Sequence, residues 1–279
     1  MTYFTLNSGQ KIPAIGLGTW RSEENDAYRA VIHALESGYR HIDTAEAYGN
    51  EKEIGRAVTE SGVSRDEVFL TSKLWNTHWN CDDAAAALDE SLEKLGTDYL
   101  DLYLIHWPGS YERNREVWKA MEEAVDAGKV RSIGVSNFHI HHLSALLENA
   151  RIRPAVNQVE CHPHLQNVFL QRELSKHDML IEAYAPLSSD HIGEILEDDE
   201  LRSIAAAHGK TVPQIVIRWH IQRGIVPLPK SVTPSRIEEN VRVFDFELTA
   251  DEMATIRRRN RAEKHFPEPD NVDFGFPVE

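Results

Sequence analysis

Cysteine and long apolar segments are scarce in this chain of 279 residues. The two cysteines, Cys81 and Cys161, cannot form a disulfide framework, and two reduced thiols are typical of a cytoplasmic protein. No apolar run reaches the length of a membrane helix, and residues 1–5 lack the charged and apolar regions of a signal peptide. We therefore expect a cytoplasmic protein that does not enter a membrane.

Positive charge is also in short supply. The chain has 30 lysines and arginines against 45 aspartates and glutamates, which gives a net charge of −15. Nucleic acid is therefore an improbable partner, because phosphate binding needs a basic face. An anionic ligand would have to find a locally positive pocket.

The glycine-rich fingerprint of Rossmann dinucleotide-binding folds is absent. Gly16-Leu17-Gly18 is followed by Thr19-Trp20-Arg21, so the third glycine is missing. The chain also has no linker, repeat or low-complexity stretch, and we expect one domain over residues 1–279. Residues 263–279, with three prolines and three phenylalanines, read as an ordered extension.

Short β-rich runs alternate with longer helical patterns along the chain. Residues 4–12, centred on Asn7-Ser8-Gly9, predict an N-terminal β-hairpin. The eight strands predicted after it are residues 15–18, 40–43, 68–73, 100–106, 130–135, 155–160, 180–184 and 225–229. The predicted helices are residues 25–37, 51–59, 82–95, 115–127, 141–148, 168–177, 199–208, 213–223, 234–243 and 249–260. Eight strand–helix units favour an α/β fold of the (β/α)₈ TIM-barrel type, with extra C-terminal helices.

The carboxyl ends of barrel strands carry the chemistry of such folds. Four polar residues fall at the early strand ends, namely Asp43, Tyr48 in the loop after it, Lys73 and His106. The later strand ends contribute Ser136, Asn137, Gln158, Glu160, Tyr184, Lys230 and Ser231. We expect these side chains to meet at one rim.

Together, the early four residues suit proton donation to a carbonyl oxygen. A free phenol is a poor acid at neutral pH, but an ammonium group such as Lys73 lowers the pKa of a nearby tyrosine. Asp43 would hold Lys73 in place, and His106 would donate a hydrogen bond to the oxygen. Neither donor supplies hydride, so a reduction would need a cofactor. Any one of these residues by itself is more often a helix cap, a packed aromatic or a solvated side chain. The prediction of a catalytic site therefore depends on the position of all four at the same rim.

Six segments resemble the aldo-keto reductase family, in order and over nearly the whole chain. They are GYRHIDTA-x-x-YGNE (38–51), TSKLW (71–75), LYLIHWP (102–108), GVSNF (134–138), NQVE (157–160) and PKSV (229–232). The match is most similar to the bacterial branch of 2,5-diketo-D-gluconate and methylglyoxal reductases. The resemblance implies NADPH-dependent reduction of aldehydes and ketones, with Asp43, Tyr48, Lys73 and His106 as the catalytic tetrad and Tyr48 as the proton donor.

The same resemblance assigns the cofactor site. It implies that Ser136, Asn137 and Gln158 hold the nicotinamide carboxamide and that Tyr184 stacks on the ring. Lys230, Ser231 and Arg236 follow the eighth strand and reach a helix start, where barrel enzymes often bind phosphate. Two cations and a hydroxyl suit the 2′-phosphate of NADPH, although such residues alone could also form a solvated basic turn. Asn240 would face the adenine by resemblance.

Aromatic residues indicate an apolar substrate pocket. Trp20, Trp75 and Trp107 would line it together with His106, and the tail with Phe266, Phe274 and Phe276 would cover its opening. This composition favours general reduction of small carbonyl compounds over one particular sugar. By the family's default we expect a monomer.

Three other functions fit parts of the sequence. A metal-dependent hydrolase would use the clusters at His139, His141 and His142 or at His162 and His164, but no His-x-His falls on an early strand, so we expect no metal ligands. A Schiff-base aldolase using Lys73 leaves Tyr48 and Arg236 without roles. The fold alone does not exclude a third function, that of a non-catalytic, NADPH-sensing barrel subunit, although the intact tetrad argues against it.

Overall fold

An antiparallel hairpin closes the N-terminal end of the barrel. The computed structural model describes residues 2–272, and its first strands are β1 (Tyr3–Thr5) and β2 (Lys11–Pro13). Leu6 and Ile12 are buried in one cluster with the inward-facing Leu102 and Leu104. The hairpin therefore plugs the barrel floor and leaves the opposite end free for a site.

Eight parallel strands follow in sequential order and curl into the predicted barrel. They are β3 (Leu17–Gly18), β4 (His41–Asp43), β5 (Phe69–Leu74), β6 (Leu100–Ile105), β7 (Val130–Ser136), β8 (Val156–Glu160), β9 (Leu180–Tyr184) and β10 (Ile225–Pro227). Closure comes from the first and last strands. The Gly16 amide donates to the Pro227 carbonyl at 3.1 Å, and the Gly18 amide donates to the Pro229 carbonyl at 3.2 Å.

Helices surround the sheet, and most follow the predicted ranges. Those described are α1 (Glu24–Glu36), α2 (Glu51–Glu60), α3 (Cys81–Leu95), α4 (Tyr111–Asp126), α5 (Ile140–Leu147), α6 (Val168–Ser175), α7 (Ile192–Leu196), α8 (Asp199–His208), α9 (Val212–Gln222), α10 (Pro234–Val241) and α11 (Ala250–Arg257). None of these helices is long and apolar enough to cross a membrane. The main apolar core lies between the sheet and this outer layer of helices.

Two helices differ most from the sequence prediction, and α11 also ends at Arg257, three residues before its predicted end. Helix α4 begins at Tyr111, four residues before the predicted start, because the Ser110 side chain accepts the Arg113 amide and caps the helix there. Helix α7 was not predicted at all. It is a short turn in the long connection after β9, and the five residues of the helix are too few to show a clear period.

The packing of α2 against α3 depends on one glycine. A Cβ atom at Gly55 would lie 2.4 Å from the Leu95 carbonyl oxygen at the end of α3, closer than atoms can approach. The two helices can come this near only because residue 55 has no side chain.

We predict that Gly55→Ala lowers the free energy of unfolding by about 1–3 kcal/mol, because the helices must separate to admit the methyl group. The matched control is Gly193→Ala in α7, where an added Cβ has no neighbour within 4 Å. Urea unfolding should leave the control unchanged or stabilise it by up to about 1 kcal/mol. Equal stability of the two variants would contradict the close-packing argument.

Candidate active site

A cavity of about 720 Å³ opens at the carboxyl ends of the barrel strands. The predicted site residues that line it are Trp20, Asp43, Tyr48, Trp75, His106, Trp107, Ser136, Asn137, Gln158, Tyr184, Lys230, Arg236 and Phe266. Lys73 lies behind this lining. Ser231 and Asn240 are buried nearby but are not part of the lining. The barrel thus brings together side chains from all eight strand ends.

A buried ion pair forms the floor of the cavity. The Lys73 ammonium donates to Asp43 Oδ1 at 2.6 Å, to the Thr44 carbonyl at 2.8 Å and to the Tyr48 hydroxyl at 3.3 Å. Lys73 is fully buried, and these three acceptors match the three donors of its ammonium group. Burial lowers the pKa of Lys73, but Asp43 and Tyr48 more than offset this and raise it above its usual value. Lys73 is therefore a fixed positive charge.

The loop after β4 places Tyr48 against this charge. Residues Glu46–Tyr48 form a 3₁₀ turn that ends at Gly49, whose φ of 69° is left-handed. This positive φ favours glycine, so the chain can turn sharply directly after the phenol.

The pKa of Tyr48 is shifted in the direction opposite to the one expected from the sequence. Burial raises the pKa of the phenol, and the nearby Lys73 ammonium reduces this rise without reversing it. Tyr48 therefore keeps its proton throughout the neutral range. The Lys73 ammonium therefore does not ionise Tyr48, although a positive charge in this position would stabilise a phenolate if the proton were transferred.

His106 faces the same space as a neutral imidazole. Burial and the charge of Lys73 hold the pKa of His106 well below its usual value. Its ring contacts Tyr48 and Trp75 edge to face, with centroid distances of 5.6 and 5.1 Å. The Nδ1 atom is buried without a hydrogen-bond partner among residues 2–272, which leaves Nε2 to meet a ligand.

One wall of the cavity carries a fixed row of amides and hydroxyls. Ser136 Oγ donates to the Gln158 carbonyl at 2.9 Å, and the Tyr184 hydroxyl donates to Asn137 Oδ1 at 2.8 Å. The Asn137 amide in turn donates to the His106 carbonyl at 3.1 Å. These bonds settle the orientation of each group before any ligand arrives.

Gln158 is oriented by two carboxyl groups. Its Nε2 donates to Asp43 Oδ2 at 2.8 Å and to Glu182 Oε2 at 2.9 Å. The amide oxygen remains as the acceptor for a ligand. Sequence reasoning assigned no role to Glu182, although an acid within the buried strand β9 was a signal. Burial, with Asp43 adding, raises the pKa of Glu182 to about 8, so it is mainly protonated at neutral pH.

Glu160 is the second functional residue whose role the sequence did not show. This buried carboxylate at the end of β8 accepts the amides of His265 at 2.8 Å and Phe266 at 3.2 Å, and it also contacts His162 Nε2 at 3.1 Å. Its two partners in the tail lie about a hundred positions later in the chain, so no local pattern could reveal them. Glu160 therefore anchors the start of the C-terminal tail.

The anchored tail reaches the cavity through Phe266. The Phe266 ring lies 5.4 Å from Trp20 and 5.2 Å from Tyr184, measured between centroids. Phe266 and Pro267 both contribute to the cavity wall. Phe274 and Phe276, which were also expected to cover the opening, lie outside the described residues.

Two basic side chains lie together in another part of the cavity lining. Lys230 follows β10, with its ammonium 3.1 Å from the Arg21 carbonyl, and Arg236 lies in the first turn of α10. Among the side chains that the structure describes, neither of the two is paired with a carboxylate. Two cations beside a helix start form a positive pocket in an acidic protein, which suits a phosphate group.

Comparison with known proteins identifies the family. Residues 14–261 match the model of the Aldo/keto reductase family. A glyoxal reductase from Bacillus subtilis is 44% identical, and the match covers 96% of both chains.

Solved structures show the same fold. An aldo-keto reductase from a Medee basin deep-sea metagenome library has a TM-score of 0.96 and 52% identity, over 97% of this chain and 100% of that one. The Bombyx mori aldo-keto reductase in complex with NADP has a TM-score of 0.91 and 37% identity, over 96% of both chains. With the family match over most of its length and relatives this similar along nearly all of it, the chain belongs to the aldo/keto reductase family.

Proposed function

We propose that this protein reduces aldehydes and ketones to alcohols with NADPH, and that Tyr48 is the general acid. The observation that carries the proposal is the neutral phenol held 3.3 Å from a buried ammonium at the floor of a large cavity. A fixed amide row and a positive pocket line the same cavity. A protein that only binds the cofactor would not use the proton donor, so this arrangement favours a reductase over the non-catalytic alternative.

The residues present fit NADPH. Gln158 has a free amide oxygen, and Ser136 and Asn137 offer further polar atoms for a carboxamide, while Tyr184 offers a ring face. Lys230 and Arg236 would hold the 2′-phosphate. Ser231 and Asn240 are assigned to the phosphate and the adenine on the family resemblance alone. When bound, NADPH supplies a hydride to the carbonyl carbon, and the NADP complex of the Bombyx mori relative supports this choice.

Tyr48 and His106 act on the carbonyl oxygen. Both are neutral donors in a buried site, so they can bind the oxygen and stabilise the negative charge that develops on it. Tyr48 then transfers its proton to the oxygen and becomes a phenolate beside Lys73. Asp43 keeps Lys73 in place, and the ammonium offsets the cost of a buried phenolate.

The walls indicate small aldehydes with an apolar side as the substrate class. Trp20, Trp75, Trp107 and Phe266 supply broad aromatic surfaces around the donors. Such walls bind a substrate through the apolar area that it buries, and they discriminate weakly between substrates. This favours a range of aldehydes over one compound. Glyoxal belongs in the test panel because a relative carries its name.

We predict that Tyr48→Phe lowers kcat by about 10²–10⁴-fold while NADPH binds with unchanged affinity, because only the proton donor is lost. Stopped-flow turnover and fluorescence titration with NADPH measure the two quantities. Tyr28→Phe is the control, since the Tyr28 hydroxyl is exposed and bonds Glu60 on the outer surface. Turnover of Tyr48→Phe at the control's rate would remove Tyr48 from the mechanism.

We predict that Arg236→Gln weakens NADPH binding by about tenfold or more and leaves NADH binding nearly unchanged, because charged hydrogen bonds contribute about 1.5–3 kcal/mol. Calorimetric titration with both cofactors gives the comparison. Arg242→Gln, at the other end of α10 and paired with Glu238, is the matched control. If NADPH and NADH weaken equally, Arg236 does not recognise the 2′-phosphate.

We predict that Phe266→Ala raises KM and changes the ranking of aldehydes, because it removes part of the cavity wall. NADPH affinity should change little, since the positive pocket lies elsewhere. Steady-state kinetics over a panel of aromatic and aliphatic aldehydes measures the effect, with the exposed Phe169→Ala on α6 as control. An unchanged ranking together with a lower melting temperature would make the tail purely structural.

A further inference from the structure

Three histidines outside the cavity converge on one carboxylate of the tail. His139, His141 and His142 lie at the start of α5, and Asp270 lies in the 3₁₀ turn Pro269–Asn271. We call these four residues the histidine–aspartate cluster. Each offers a ligand atom, and the four atoms lie within 4.8 Å of one another. None of the four lines the active-site cavity.

The contacts in this cluster have the spacing of metal ligands. Asp270 Oδ1 lies 3.1 Å from Nε2 of His141 and 3.1 Å from Nε2 of His142. Asp270 Oδ2 lies 3.2 Å from His139 Nδ1. Ligands bound to zinc at about 2.0 Å in a tetrahedron are separated by about 3.3 Å. A small shift of these side chains would therefore place an ion between them.

The His139 ring lies between two carboxylates, those of Glu268 and Asp270. Its Nε2 lies 3.0 Å from Glu268 Oε1 and its Nδ1 lies at hydrogen-bond distance from Asp270 Oδ2, so a neutral ring, which has one proton, can donate to only one of the two carboxylates. When Nε2 carries that proton, the Nδ1 lone pair faces Asp270 Oδ2, which is also an acceptor. Two acceptors at 3.2 Å repel each other unless a second proton or a metal ion lies between them.

His142 has a different role in the histidine–aspartate cluster. Its Nδ1 accepts the His139 backbone amide at 3.1 Å, which puts the proton of the neutral ring on Nε2. His142 therefore donates to Asp270 and orients the carboxylate without ligating an ion.

We propose that His139 Nδ1, His141 Nε2 and Asp270 bind one divalent cation of the zinc class, with Glu268 as the outer carboxylate that sets the His139 tautomer. Two imidazoles and one carboxylate suit zinc and similar transition metals. Magnesium and calcium prefer six or more oxygen ligands, which this cluster does not provide. A carboxylate behind a ligating histidine is the usual outer partner in zinc sites.

The other two clusters of histidines and acids fit a metal less well. Glu160, near His162 and His265, already uses its carboxylate to bind backbone amides of the tail. The cluster of His164, Glu194 and Glu263 contains the Arg261 guanidinium, which contacts all three side chains. A cation already occupies that position, so a metal ion would be repelled.

A bound cation would fasten the tail to the barrel. Glu268 and Asp270 follow directly after Phe266 and Pro267, whereas His139 and His141 follow β7. The ion would join two segments about 130 positions apart, beyond the anchor at Glu160. Because the cluster lies outside the cavity, hydride and proton transfer should proceed without the ion.

Calorimetric titration of the untagged, EDTA-treated protein with zinc chloride at pH 7.5 tests the proposal. We expect one site per chain, with no comparable site for magnesium. His141→Gln and Asp270→Asn should weaken zinc binding by at least about tenfold, and Glu268→Gln by about 10–100-fold. His177→Gln, which alters a histidine outside the cluster, should bind as the parent does.

Hydrogen exchange gives a readout independent of activity. Zinc should slow exchange at residues 264–272 in the parent and in His177→Gln, and leave it unchanged in Asp270→Asn. The proposal is overturned if the parent binds no stoichiometric zinc, if the cluster variants bind as the parent does, or if zinc leaves exchange in the tail unaltered.

Discussion

The buried pair of Lys73 and Asp43 is the interaction on which the active site depends. Two charges inside a barrel are costly unless each is paired and its remaining hydrogen-bonding atoms are satisfied. Lys73 meets this condition through Asp43, the Thr44 carbonyl and the Tyr48 hydroxyl. Removing either partner would leave an uncompensated charge, which typically costs about 3–5 kcal/mol. The pair therefore fixes the phenol and the loop that carries it.

Gln158 connects this pair to the opposite side of the barrel. Its amide links Asp43 on β4 to Glu182 on β9, so residues 139 positions apart share one donor. Burial and the neighbouring Asp43 raise the pKa of Glu182, which limits the build-up of like charge in this interior. The row of amides and hydroxyls on the cavity wall and the Tyr48 hydroxyl are thus held by one continuous network.

The C-terminal tail is organised by charge as well as by aromatic packing. Glu160 fixes its start through two backbone amides, and Phe266 is held between Trp20 and Tyr184 as a result. Asp270 meets the histidines of α5 further along. Two carboxylates at separate points therefore place one short segment across the barrel rim.

The sequence by itself determined the order of eight strand–helix units, the barrel class and the group of polar residues at the strand ends. Those features are local, because the hydrophobic period, the helix caps and the strand ends depend only on residues that are neighbours in the chain. Only the tertiary structure decided the direction of the Tyr48 pKa shift, since the burial of the phenol outweighs the Lys73 charge that adjacent motifs suggested. It also decided the roles of Glu182 and Glu160 and the meeting of Asp270 with His139, because these depend on contacts between segments far apart in the chain and on the loss of water around them.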